Sequence, residues 1–375
     1  MKIRAAVLEQ IGLERPYAKT LPLKVQEVDL EGPGPGEVLV KMAVAGLCHS
    51  DLSVIDGNRP RPVPMVLGHE ASGIVEEVGE YVEDLRPGDH VVFVFVPSCG
   101  HCSPCSEGRP ALCEPGAVSN GRGDLLSGAT RLSRDGERIH HHVGVSSFAE
   151  YATVSRRSLV KVDPELPLDV AGLIGCAVLT GAGAVFNTGE VKPGGTTAII
   201  GLGGVGLAAV IGAAAAGAET IIAVDRLDSK LEFARQLGAT HVFNADDPDV
   251  VGKVKDATKG GVQAALEFAG SVKALEFGYA ITRRGGTTIT AGLPNPKAML
   301  ALPAVTLVAE ERTLKGSYIG SGVPSRDIPR FLALYKRGKL PVDRLLTHRL
   351  SLDEINEGFD RLADGSAARQ IVEFN

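Results

Sequence analysis

The chain carries no surplus of positive charge. Its 39 Lys and Arg residues face 45 Asp and Glu, a formal net charge of −6. That balance excludes the electrostatic footprint of a nucleic-acid partner or of an anionic membrane surface. The opening MKIRAAVLEQ has no apolar core of the kind a secretory signal needs, so the expected compartment is the cytoplasm. No internal repeat and no low-complexity linker is present. One uncharged run, residues 198–218 (AIIGLGGVGLAAVIGAAAAGA), is long enough to span a bilayer, but six of its positions are glycine. It follows a strand-like TTAII and reads as strand, turn and helix, so no membrane partner is expected. Cysteine is scarce too, with six in 375 residues, and hydrophobic residues make up 44%. At about 100–200 residues per domain, this length implies two domains with substantial cores.

Four of the six cysteines fall within residues 99–113, CGHCSPCSEGRPALC. In a reducing compartment such a cluster is read as ligands before disulfides. Cys99, Cys102, Cys105 and Cys113 have the spacing C-x2-C-x2-C-x7-C, and four thiolates on tight turns complete a tetrahedral Zn²⁺ shell. A closed shell has no open position, so the predicted ion is structural, in a lobe over residues 97–115. An iron–sulfur cluster and a redox CxxC pair are the alternatives. His101 reads as a solvated neighbour.

Cys48 and Cys176 remain, in AGLCHSDLS and LIGCAVLTGAG. Alone, each reads as a small buried hydrophobe. Between them lies LGHEASG, with His69 followed by Glu70. Cys48, His69 and Cys176 are a candidate three-ligand zinc site with a fourth position for water or substrate. Glu70 then reads as an outer carboxylate or a transient ligand. Spacing alone does not join residues so distant in the chain.

GLGGVG supplies a nucleotide signature. Gly201, Gly203 and Gly206 fit G-x-G-x-x-G directly after TTAII, with a helix-like LAAVIGAAAAG behind. A second strand, TIIAVD, ends in Asp225, placed to accept hydrogen bonds from an adenine ribose and to repel a 2′-phosphate. NAD is therefore expected, with NADP left open by the adjacent Arg226. Alternation continues through HVFNA, QAALEFAG, GGTTITAGL and TLKGSYIG, which predicts a doubly wound parallel six-stranded α/β sheet. The N-terminal half instead has short β-rich runs broken by Pro and Gly turns (GPGPGE, RPGD), and two helices and a strand at the C-terminus look set to return to it.

With these motifs together, the chain resembles the zinc-containing medium-chain alcohol dehydrogenases over essentially its whole length. GHEASGIVEEVG, the four-cysteine lobe, GCAVLTGAGA, GLGGVG with Asp225, and INEGFDRL carry the resemblance. The resemblance implies a GroES-like catalytic domain (1–178 and 320–375) split around a Rossmann NAD-binding domain (179–319). It implies two Zn²⁺ per chain and zinc-assisted, reversible oxidation of an alcohol to an aldehyde by hydride transfer to NAD. It puts the catalytic zinc on Cys48, His69 and Cys176, with Glu70 behind, Ser50 beside the substrate oxygen, and Asp51 as an outer carboxylate. It puts His49 and Arg369 on the pyrophosphate, Lys230 near the adenine ribose, and Thr180 and Val205 beside the nicotinamide. A homo-oligomer is implied, a dimer before a tetramer, paired through TLKGSYIG.

Where many relatives have a relay histidine, this chain has Ser53. The resemblance places Phe95, Val118, Phe148 and Leu293 on the substrate pocket, with Arg59 near its mouth, an apolar lining that favours medium-chain or aromatic primary alcohols. The alternatives are an S-(hydroxymethyl)thiol (formaldehyde) dehydrogenase, whose charged pocket positions are here Ala117, Gly57 and Arg59, and a non-catalytic zinc- and NAD-binding protein. The run His140–His142 reads as surface or local packing.

Overall fold

The contrast between a β-rich first half and an alternating second half becomes two compact units in the computed structural model, which describes residues 1–374. The first unit comprises Met1–Cys176, Val323–Leu332 and the chain from Leu346 onward; the second comprises Ala177–Gly322 and Ala333–Leu345. Residues 333–345 thus depart from the expected division. Leu340, Val342 and Leu345 are fully buried, and the turn that carries them packs on the helix Gly204–Ala215 of the second unit.

The first unit begins with β1 (Lys2–Leu8), β2 (Leu23–Leu30), β3 (Glu37–Gly46), β4 (Met65–Val66) and β5 (Glu70–Val78). It continues with β6 (His90–Phe93), β7 (Leu132–Arg134), β8 (Glu137–His141), β9 (Tyr151–Ser155) and β10 (Leu159–Lys161). Five of these close a barrel in the order β1-β2-β7-β8-β4. The two-residue period of a strand lets β1 serve two cores. Ile3, Ala5 and Val7 join Val28, Leu132 and Ile139, while Ala6 and Leu8 join Val40, Met42, Phe93 and Phe148.

In the second unit, β11 (Thr196–Ile200), β12 (Thr220–Asp225), β13 (His241–Asn244), β14 (Val262–Glu267), β15 (Thr282–Thr290) and β16 (Thr313–Gly316) are the six expected strands. All pair in parallel, in the order β13-β12-β11-β14-β15-β16. Strand order reverses between β11 and β14, and open α/β sheets bind ligands beyond the carboxyl ends at such a point. The run 198–218 resolves into β11, a turn and a helix. A different stretch, Leu168–Thr188, is long and apolar enough to cross a membrane by length and composition, and 83% of its most apolar part is buried, as in the core helix of a globular fold.

The chain then returns to the first unit with β17 (Leu346–Leu350), the helix Ile355–Asp364 and β18 (Arg369–Glu373), which extend the second sheet to β10-β6-β5-β3-β18-β17, with β9 also on β3. Gly46 of β3 lies in register with both Glu70 of β5 and Ile371 of β18. A Cβ on Gly46 would stand 2.6 Å from the Glu70 carboxylate. The absent side chain leaves room for the Glu70–Arg369 pair described below.

Candidate metal centres and nucleotide site

The four-cysteine lobe is built from turns. Cys99 precedes a short helix, Ser103–Ser106, and Cys113 ends a 3-10 turn, Pro110–Leu112. The four sulfurs lie within 4.8 Å of one another. Backbone N–H groups point at them: Cys99 and Gly116 donate to the sulfur of Cys113 at 3.2 and 3.4 Å, and Cys102 donates to that of Cys99 at 3.3 Å. Amides aimed at sulfur stabilise thiolates, and a four-thiolate cage is the donor set of a structural zinc. His101 is exposed, its ring Nδ1 3.1 Å from the Cys99 carbonyl, outside the sulfur set.

The second cluster is buried. Cys48 caps the start of the helix His49–Ile55, His69 precedes β5, and Cys176 lies in a π-helical turn. Their donor atoms also fall within 4.8 Å of one another, with the Cys176 sulfur 3.4 Å from His69 Nε2. The other ring nitrogen, Nδ1, lies 3.0 Å from Asp51 Oδ1. A carboxylate on Nδ1–H leaves the Nε2 lone pair facing the sulfurs, the orientation a ligating imidazole needs. The electrostatics favour a cation. The hydrogen bond from Cys176 takes the Cys48 thiol well below its usual range, while that same bond and burial push Cys176 well above it. Burial alone would depress His69, but Asp51 and the Cys48 thiolate outweigh it and raise it well above 6.5. Glu70, fully buried, is raised by burial against the pull of Arg369, whose guanidinium donates directly to Oε1. The donor set and this negative field fit Zn²⁺ with one coordination place left for an oxygen ligand.

The glycine loop joins β11 to the helix Gly204–Ala215. Gly203 caps that helix without a side-chain hydrogen bond, so no capping side chain takes the first N–H groups of the helix, the groups that an anion site uses. A Cβ on Gly203 would meet nothing, whereas one on Gly206 would overlap the carbonyl oxygen of Gly201. One glycine keeps space for a ligand and the other keeps the helix against the strand. Asp225, at the end of β12, accepts the N–H of Leu202 at 2.7 Å and that of Leu227 at 3.1 Å, tying the loop to the strand. This cradle fits a dinucleotide.

Two family models match. Residues 34–164 fit the alcohol dehydrogenase GroES-like domain and residues 204–337 the zinc-binding dehydrogenase domain. A Mycobacterium tuberculosis protein provisionally named alcohol dehydrogenase D is 43% identical over 99% of this chain and 100% of its own. The NDMA-dependent alcohol dehydrogenase of Amycolatopsis methanolica is 41% identical, covering 99% of each chain. The crystal structure of benzyl alcohol dehydrogenase from Acinetobacter calcoaceticus superposes with a TM-score of 0.93 at 37% identity, over 100% of both chains. The chain belongs to the zinc-containing medium-chain alcohol dehydrogenase family. It is a zinc-dependent oxidoreductase that works with a nicotinamide cofactor on small-molecule alcohols.

The remaining family positions fall as follows. Ser50 is half-buried and His49 exposed, on the helix that follows Cys48. Thr180, Val205 and Lys230 are half-buried in the second unit. Arg369, expected on the pyrophosphate, is 3% exposed and engaged by Glu70, while its Nε has no hydrogen-bond partner among the described residues. Phe95 packs edge-on against His69, ring centres 5.1 Å apart. Leu293 is exposed. Val118 is exposed as well and lines a cavity of about 490 Å³ beside the lobe with His101, Cys102 and Arg122. Phe148 departs from the expectation of a pocket-lining residue. It has no exposed surface and packs edge-on against Phe359 in the core, drawn in by the bonds of its N–H to the Leu67 carbonyl and of the Ala6 N–H to its own carbonyl. The histidine run takes the local-packing alternative of its reading rather than the surface one. His141 and His142 are buried, and His142 Nε2 lies 3.3 Å from Asp51 Oδ1. The signal available in the sequence was only three consecutive histidines, because their neighbour Asp51 stands 91 positions upstream.

Proposed function

We propose that this dehydrogenase oxidises primary alcohols with medium-chain or aromatic groups to aldehydes, reversibly, with NAD and two zinc ions per chain. The observation that carries the reading is the buried Cys48–His69–Cys176 triad, its imidazole oriented by Asp51. When bound there, zinc supplies Lewis acidity toward the alcohol oxygen and NAD accepts the hydride. Cys48, His69 and Cys176 hold the catalytic ion, and Cys99, Cys102, Cys105 and Cys113 the structural one. Asp51 keeps the His69 Nδ1 proton in place, so Nε2 stays a ligand. Ser50 Oγ, two residues beyond Cys48, would accept the hydroxyl proton of the alcohol and pass its own to a ribose hydroxyl of the bound cofactor. Glu70, held by Arg369, keeps a carboxylate behind the triad. Phe95, edge-on to His69, supports an apolar wall beside the reacting carbon and hence an aromatic or alkyl substrate.

NAD before NADP is supported by Asp225 and by Asp246, whose carboxylate sits 3.1 Å from the Nε of Arg226, the residue after Asp225. A dimer is supported by β16, an edge strand with all four residues exposed, and by Val305 and Val308 nearby, 70% and 82% exposed. The same reading puts the enzyme in the cytoplasm, where all six cysteines, free in the structure, stay reduced.

The test is NADH formation by zinc-loaded protein across ethanol to octanol, benzyl alcohol, secondary alcohols and a hydroxymethyl-thiol adduct, with NADP as control. Turnover of long-chain or aromatic primary alcohols with NAD supports the proposal. Activity confined to the thiol adduct would overturn the substrate class, and silence throughout would overturn catalysis. Light scattering with Val308→Asp tests the dimer: a parent protein already monomeric removes it.

A further inference from the structure

The zinc-ligand orientation described above leaves one buried group unused. Asp51 Oδ1 accepts the N–H of Gly68 at 3.1 Å and that of His69 Nδ1 at 3.0 Å, and His142 Nε2 approaches the same oxygen at 3.3 Å. Asp51, His69 and His142 are each at least 97% buried as residues. The His142 ring also stands edge-on to the His69 ring, centres 5.6 Å apart and planes at 64°, on a ring that Phe95 contacts as well.

The backbone that carries His142 is locked to the segment that carries His69. The His142 N–H donates to Ser146 Oγ at 2.9 Å, and Ser146 Oγ donates to the Val66 carbonyl at 2.9 Å. Ser147 and Phe148 donate to the Gly68 and Leu67 carbonyls at 3.1 and 3.0 Å. A Cβ on Gly68 would stand 2.5 Å from Ser147 Oγ and 2.7 Å from Phe148 N, so the two segments run closer than side chains at 68 permit. His142 is thereby held at a set distance from His69, and Asp51 fills the gap from a third element, the helix His49–Ile55.

We propose that His142 is a positioning residue for the catalytic zinc: its Nε2, 3.3 Å from Asp51 Oδ1, and its ring, edge-on to His69, hold Asp51 and the imidazole in place, so that His69 Nε2 is presented to the ion between Cys48 and Cys176. The inference rests on the zinc-dehydrogenase reading. His142 touches neither ion nor substrate. It acts through Asp51, and groups that orient a ligand in this way change metal affinity or activity by about 10–100-fold when removed.

Two variants separate the polar contact with Asp51 from the packing. His142→Phe keeps a ring of similar size and removes the ring nitrogens; His142→Gln keeps a polar N–H group in a smaller side chain. Zinc loss to a chelator is followed by metal analysis, with the four-cysteine lobe as internal reference, beside the absorption spectrum of the cobalt-substituted protein and the melting temperature. The expected result is a catalytic-site zinc lost about 10–100-fold faster in His142→Phe, with an altered cobalt spectrum, an unchanged lobe, and recovery toward the parent in His142→Gln. Parental zinc retention and spectrum in His142→Phe would overturn the proposal. So would equal damage in both variants that tracks a fall in melting temperature, which is what mere packing predicts. A parent protein that retains only the lobe zinc would overturn the underlying reading and this inference with it.

Discussion

Two glycines in the same loop are expected to fail in opposite ways when given a methyl group. At Gly206, alanine would normally help, since it is favoured over glycine in a helix by about 1 kcal/mol. Here its Cβ would overlap the Gly201 carbonyl oxygen and stand 2.9 Å from the Gly201 carbonyl carbon. Relaxed carbon pairs sit at about 3.5–4.0 Å, so the helix must back away from β11 by roughly 0.6 Å or more. Overpacking of this kind costs about 1–3 kcal/mol. The net loss for Gly206→Ala is then up to about 2 kcal/mol, or a melting temperature lower by up to roughly 8 °C. Gly203 has φ −71° and ψ −178°, open to any residue, and its Cβ would meet nothing. Gly203→Ala should therefore leave the cofactor-free protein near parental stability, because a gain of about 0.4–1 kcal/mol from the stiffer unfolded chain is offset by a similar loss at the helix cap. Its methyl group would instead stand where the cofactor's pyrophosphate approaches and weaken NADH binding by about tenfold or more, some 1.4 kcal/mol. Calorimetric melting without cofactor and NADH fluorescence titration read the two effects separately. A Gly206→Ala more stable than the parent, or a Gly203→Ala clearly less stable than Gly206→Ala, would refute the assignment of the two roles.

Three further outcomes follow from named groups. In the metal-free lobe, burial pushes Cys105 up to about 12 and raises Cys113, whereas Cys99 falls to about 6 because N–H donors to its sulfur outweigh burial. Zinc uptake by the lobe at pH 8 should release at least two protons, those of Cys105 and Cys113; calorimetry in buffers of different ionisation enthalpy that finds none would contradict this. Asp360 accepts the N–H groups of Tyr17 and Ala18 at 2.9 Å each, and these donors with Arg15 outweigh burial and lower its pKa below 3.8. A lowered carboxyl stabilises the fold above its unfolded value and ceases to do so as pH falls through the folded one. Asp360→Asn should cost about 1–3 kcal/mol at neutral pH and progressively less as the pH falls through the lowered folded value, read as urea midpoints across pH; a loss independent of pH would sink the argument. The Ser53 hydroxyl donates to the His49 carbonyl at 2.8 Å, spent inside its own helix. The pH–rate profile should lack a limb near the ordinary histidine value of about 6.5, and Ser53→His should introduce one; an unchanged profile would count against the missing relay.

Local spacing carried much of this protein by itself. Four cysteines in fifteen positions can reach one ion because the turns at Gly100, Pro104 and Pro110 fold them together without help from elsewhere. The glycine spacing after TTAII and the carboxylate closing TIIAVD are likewise set within one βαβ unit, and the six strands emerged as read. Where contacts join distant segments, periodicity had nothing to say. Cys48 and Cys176 meet only because separate parts of one fold bring them together. Glu70 and Arg369 become a buried pair through the register of β5, β3 and β18 around Gly46. Phe148 was drawn into the core by backbone bonds to Leu67 and Ala6, which no pattern in SSFAEY announces. His142 reached Asp51 because a side-chain hydroxyl, Ser146, locks one turn to β4. The sequence by itself determined what the local chain can bind; tertiary structure alone decided which distant polar groups share a desolvated space, since burial makes each of them need a partner and only strand register chooses which.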